Sequence, residues 1–196
     1  STGATGAGAA YLFSVDGNLL TTFTNPTPAN SEAFGYSVAA VGIDRVLIGA
    51  PFVRTGANYP GEAYLFSTNG ALLATFTNPA PASLWRFGHA VAGVGADHLL
   101  IGAYEALGAP FAGMVYLYGA DGTLVTNIAD PNPEIGESSY GEFGFALATV
   151  GNDRVLVGAP DTAGGGEAYL IDLPLAAPTG PAIILSHPQS RTAPEG

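Results

Sequence analysis

The chain of 196 residues carries a formal charge of −11, and its five basic residues are all arginine. That balance argues against nucleic acid and against an anionic membrane surface, both of which are held by clustered Lys and Arg. There is no cysteine, which excludes disulfides and Cys-ligated zinc, and no apolar run approaches the ~20 residues of a membrane span.

Hydrophobic residues make up 47%, so a sizeable core is available, while 28 glycines and 15 prolines favour short strands and tight turns over helices. The opening on Ser1 is what a processed or excerpted chain would show.

Taken from the start, residues 8–20 (GAAYLFSVDGNLL) return at 61–73 (GEAYLFSTNGALL), at 113–125 (GMVYLYGADGTLV) and in part at 166–171 (GEAYLI). Between them a second block recurs: 34–51 (FGYSVAAVGIDRVLIGAP), 87–104 (FGHAVAGVGADHLLIGAY) and 143–160 (FGFALATVGNDRVLVGAP). Proline-rich connectors at 25–28, 78–81 and 130–133 join the blocks. A period near 50 residues marks a repeat architecture.

Each period reads as four strands: a (35–41), b (45–50), c (63–66) and d (72–77). A tight turn at 42–44, 95–97 or 151–153 joins a to b. The dipeptides Asp16-Gly17, Asn69-Gly70 and Asp121-Gly122 join c to d, and they predict type I′ turns with φ > 0 at both central residues. Strand runs such as 46–50 and 10–13 are apolar throughout, the pattern of a sheet covered on both faces. The chain opens with c and d, continues through two full sets and ends on a, b and c, so thirteen strands are expected. After Ile171 the pattern stops. Residues 173–181 read as a linker, and 182–196 as an extended tail or the first strand of an immunoglobulin-like domain.

Three copies of Phe-Gly followed by Gly-Ala-Pro or a variant of it carry a family resemblance. The first is Phe34-Gly35 with Gly49-Ala50-Pro51 and the third Phe143-Gly144 with Gly158-Ala159-Pro160; the second, Phe87-Gly88, departs at its end to Gly102-Ala103-Tyr104. Over residues 8–172 the chain resembles the FG-GAP repeat family, the blades of integrin α-subunit propellers and many bacterial surface proteins. The resemblance implies an all-β fold of β-propeller blades, each of four antiparallel strands, with about three blades plus incomplete end blades. The units lie near 8–60, 61–112 and 113–165, with a partial one at 166–172, inside a repeat domain spanning 1–172. It also implies an extracellular or cell-surface location and a role in adhesion. The calcium loop of many members is here shortened to residues 42–45 and their equivalents, and one carboxylate cannot supply the ~6–8 oxygens calcium takes, so no cofactor is expected. Asp44, Asp97 and Asp153 are expected to bond local backbone N–H groups in their turns.

No residue pattern points to catalysis. His89, His98 and His187 read as structural; His89 takes the place of Tyr36 and Phe145 in the other copies. Glu134, Glu137 and Glu142 read as solvated surface. The candidates for contact with a partner are Trp85, Arg86, Tyr59, Tyr104 and, in the longest connector, Tyr140. The expected function is a non-enzymatic structural or adhesive module, its partners other copies of itself or other surface proteins, with blades completed between chains. The alternatives are a glycan-binding propeller and a non-catalytic fragment of a larger secreted enzyme.

Overall fold

The computed structural model describes residues 6–29, 32–54, 59–79, 86–104, 113–132, 142–160 and 165–175. Among these there is no helix, and thirteen antiparallel strands form four sheets. The first sheet holds β1 (Ala9–Phe13) and β2 (Leu19–Thr24). The second holds β3 (Ser37–Val41), β4 (Arg45–Ala50), β5 (Glu62–Ser67) and β6 (Leu72–Thr77) in chain order. The third repeats that order with β7 (Val91–Val94), β8 (His98–Ala103), β9 (Met114–Gly119) and β10 (Leu124–Ala129). The last has β11 (Ala146–Val150), β12 (Arg154–Ala159) and β13 (Glu167–Asp172). Thirteen strands match the sequence expectation. Among the described residues only two sheets hold four strands, against the about three blades expected; the first shows strands c and d, and the last a, b and c. The packed unit also runs past residue 172, since Leu173 is buried in the last core and Leu175 packs against it.

The uninterrupted apolar runs follow from burial on both faces. Successive side chains of a strand point to opposite sides. In β4, Leu47 enters the core shared with the third sheet, and Ile48 the core shared with the first. In β8, Leu100 faces the last sheet and Ile101 the second. Three cores result, one at each junction, with β7 packed against β3 on one side and β11 on the other.

The outermost faces of the stack lack this cover. Tyr11 is 59% exposed where its repeat equivalent Tyr64 is 1%, and Leu156 is 41% exposed where Leu100 is 0%.

The c–d turns are equivalent to one another but are not type I′. Asp16, Asn69 and Asp121 keep negative φ, and only Gly17, Gly70 and Gly122 are left-handed, at 81°, 95° and 92°. The glycine N–H donates three residues back, to Ser14, Ser67 or Gly119, at 2.9–3.0 Å. This is a type I turn closed by a left-handed glycine, a three-residue hairpin that inserts one bulged residue. A further bulge, at Leu20, Leu73 and Val125 of strand d, shifts the register in all three c–d pairs.

Junctions are tight enough to require glycine. A Cβ on Gly49 would lie 2.0 Å from the Gly88 carbonyl oxygen of the next repeat, and one on Gly102 would lie 2.3 Å from that of Gly144. A Cβ on Gly158, in the last sheet, would meet nothing nearer than the Ala146 Cβ, at 3.3 Å. Gly102→Ala is therefore expected to lower unfolding free energy by ~1–3 kcal/mol, the usual cost of forcing atoms into a packed site, and Gly158→Ala by less than about 1 kcal/mol. Urea unfolding at submicromolar chain concentration checks both.

Candidate functional site

The repeated motif builds each junction in the same way. The N–H of Gly35, Gly88 and Gly144 donates to the carbonyl of Gly49, Gly102 and Gly158 at 3.0–3.2 Å, tying the Phe-Gly half to the Gly-Ala half. The preceding rings of Phe34, Phe87 and Phe143 are buried and lie against Tyr64, Tyr116 and Tyr169, with centroids 5.6, 5.6 and 5.7 Å apart. The hydroxyls of Tyr64 and Tyr169 donate to Glu62 and Glu167, two residues away on the same strand. Tyr116 has Met114 at that position and donates instead to Asn78, at 3.4 Å. Burial holds the Tyr116 and Tyr118 phenols protonated, each pushed up to about 12. Ala50, Ala103 and Ala159 are fully buried in the same cores, and Pro51 and Pro160 close strand b in the first and third copies.

The middle copy is specialised. The residue after Phe-Gly is Tyr36, His89 or Phe145, and the three rings stack in order along the array, 4.8 and 4.7 Å apart. Tyr104, standing where the other copies have proline, closes on His89 at 4.2 Å and on Phe145 at 5.2 Å. The Arg86 guanidinium lies over the rings of Tyr104 and Phe52, at 5.1 and 5.5 Å, and bonds the Tyr104 hydroxyl. Arg86 has φ 39°, as Ala33 (52°) and Glu142 (48°) do at the equivalent positions, so this left-handed step belongs to the repeat and not to the site alone.

His89 is buried, and its tautomer follows from its partners. Nδ1 lies 3.2 Å from the Phe145 carbonyl, which can only accept, so the proton is on Nδ1. Nε2 then accepts from the Tyr36 hydroxyl at 3.1 Å. Burial lowers the His89 pKa, the Phe145 carbonyl opposes this and the neighbouring Arg86 charge adds to it, so the ring is neutral at pH 7.

Of the partner-contact residues predicted from sequence, Arg86 and Tyr104 come together in this cluster, with Tyr104 buried rather than presented outward. Tyr59 lies apart, under the Arg54 guanidinium at 4.4 Å. Trp85 and Tyr140 lie outside the described residues, as do Glu134, Glu137 and His187. His89, Tyr36, Phe52 and Phe145 were not singled out as a site. The signal available was the alignment of Tyr36, His89 and Phe145 at one repeat position, which stacking would bring into a column.

A second, polar set joins the repeats at the a–b turns. Arg45 Nη2 donates to the Ala96 carbonyl at 2.6 Å and pairs with Asp97 at 3.0 Å, while its Nε lies 3.4 Å from Asp44. The turn carboxylates thus face an arginine rather than local N–H groups: Arg154 sits 3.8 Å from Asp153 in the last copy. The Arg45 guanidinium thus lies between Asp44 and Asp97, and among the described residues no group of three or more His, Cys, Asp or Glu could hold a metal ion. The connectors hold buried polar groups of their own: Asn25 donates to Glu32 at 2.6 Å, and the Asp130 carboxylate accepts from the Asn132 N–H at 2.9 Å.

No family model and no curated protein matches the chain.

A histidine whose pKa is depressed on folding contributes stability that is complete above its unfolded pKa, near 6.5, and is lost as pH falls through the folded value. Wild-type melting temperature is therefore expected to fall from pH 7.5 to pH 5 more than that of His89→Phe, which carries the ring of the third copy. Circular dichroism melts of the two chains at both pH values check this, and equal pH dependence would contradict it.

Proposed function

We propose that the chain is a non-enzymatic structural or adhesive module of the cell exterior, built of FG-GAP-type β-propeller blades and completed between copies. The observation that carries this reading is the threefold recurrence of one junction, with the same Phe-over-Tyr pair and the same glycine carbonyl contact. Consecutive packing of β3, β7 and β11 supports it, because blades placed around an axis bring their first strands together. Low charge and the absence of lysine suit a surface polymer with few trypsin sites. Calcium has no part in this reading, and the partners are other copies or other surface proteins.

A second reading is favoured by one observation. Tyr36, half-exposed beside the buried His89 ring, offers an aromatic face such as sugar-binding sites use, and Arg54 over Tyr59 offers another aromatic–cation pair. Most rings of the cluster are spent on each other, which favours the structural role.

Electron-microscopy images of the purified particle are expected to show sheets set radially about an axis. On a glycan array the chain is expected to give no signal above background. Glycan binding that drops about tenfold (about 1.4 kcal/mol) in Tyr36→Ala would replace the structural reading with the lectin reading.

A further inference from the structure

Among the described residues, the first and last sheets hold complementary sets of strands. The first sheet consists of strands c and d, and the edge of β1 away from β2 pairs with no described strand. Where strands a and b would stand there is an apolar groove of about 440 Å³, lined by Ala10, Leu12, Val38, Ala40, Val46 and Ile48 among others. At the other end, β11 and β12 form an a–b hairpin whose outer face, with Ala148, Val150 and Leu156, is exposed.

We infer that a second copy of this chain fills the groove: its β11–β12 hairpin pairs with the free edge of β1, taking β1 in place of its own β13. The inference rests on the propeller reading above and names the partner and the joint. The internal sheets specify the register. In the second sheet b pairs with c as Gly49↔Ala63, Ile48↔Tyr64, Leu47↔Leu65 and Val46↔Phe66. The same alignment sets Gly158 opposite the partner copy's Ala10, Val157 opposite Tyr11, Leu156 opposite Leu12 and Val155 opposite Phe13.

The bare apolar faces of β1 and of the β11–β12 hairpin then find the cover their internal equivalents have. Tyr11 and Phe13 take the places of Tyr169 and Ile171 over the third sheet, where those side chains are buried. Leu156, Ala148 and Val150 enter the groove against Val38, Ala40 and Val46, as Leu47, Ala39 and Val41 meet the third sheet. Arg154, equivalent to Arg45, reaches the Ile43–Asp44 turn, as Arg45 reaches Ala96 and Asp97. Gly158 comes under the Gly35 carbonyl, as Gly49 lies under that of Gly88.

The exchange gives up the pairing of β12 with Glu167-Ala168-Tyr169-Leu170-Ile171 for pairing with Ala9-Ala10-Tyr11-Leu12-Phe13, a strand of nearly the same sequence. Strand pairing is therefore close to balanced; Tyr11 and Phe13 replace the buried Tyr169 and Ile171 of the released β13, and the filling of the groove by Leu156, Ala148 and Val150 is the added apolar burial that favours the joint. Two copies joined at both ends hold six four-stranded sheets, two whole ones from each copy and two shared, within the ~4–8 blades that close a propeller. With −11 on each copy, added salt should tighten the pairing.

The test uses the full chain. Light scattering at tens of micromolar is expected to give the mass of two chains. Gly158→Ala, which keeps its own fold, is expected to remain a monomer. In the chain's cysteine-free background, Leu12→Cys mixed with Leu156→Cys is expected to form a disulfide dimer on oxidation, and Leu12→Cys alone is not. A wild-type monomer, or Gly158→Ala pairing as well as wild type, would overturn the inference. Hydrogen exchange at β4 and β8 is the separate readout of the propeller reading: slow exchange there in a monomeric wild type would sink the joint alone, and fast exchange would sink the stacked sheets as well.

Discussion

A sheet that is apolar on both faces cannot stand alone in water, and this constraint governs the whole chain. In β4 and β8 adjacent residues are both large and apolar, so each strand sends Leu one way and Ile the other. Burying such a side chain is worth ~1.5–3 kcal/mol, and a sheet with one bare face forfeits that at every second position. Stacking is the response, and it has no natural end within the repeat. Tyr11 and Tyr64 are the same residue at the same repeat position in like strands, and they differ only in whether a sheet lies above them. Exposure at the ends is thus a property of the stack, not of the local sequence.

The motif residues make sense as parts of the joint. Phenylalanine caps the Tyr of the c strand. The glycine after it takes a left-handed φ of 88–90° and donates to the Gly-Ala half. The glycine of that half leaves room for the next repeat's carbonyl, which a methyl group would strike. Each residue does something between sheets, and none of these contacts needs a ligand. Recurrence of the motif is accordingly the recurrence of one close backbone approach.

Strand positions and their number were legible because the repeat made each prediction three times over and because continuous apolar runs state double burial directly. The c–d turn type was not. Asp-Gly and Asn-Gly serve both type I′ turns and type I turns closed by a bulged glycine, and the choice depends on strand twist, which the dipeptide does not record. The carboxylates of the a–b turns were misplaced for a related reason. Local bonding was the default for Asp44, but Arg45 next to it bridges to Asp97 about fifty residues away, a contact visible only once the sheets are stacked. Buried Asn25, Asn78 and Asp130 looked like connector residues because proline follows each of them.

The specialised cluster follows from comparing the copies. The middle copy departs from its neighbours at Arg86, His89 and Tyr104, and all three departures meet in one place. Tyr104 in place of proline gives His89 an edge-on ring, and Arg86 in place of Ala or Glu gives Tyr104 a cation worth ~0.5–2 kcal/mol over its face. Replacing one of the three by its counterpart would strand the other two, so they act as a set. The set also takes Tyr36 from the copy before and Phe145 from the copy after. His89, held neutral and bonded to both, is a link across three successive repeats. A residue type that in a lone domain would suggest acid–base chemistry here does the work of the stack itself, extending the junctions between pairs of sheets into one connection along the array.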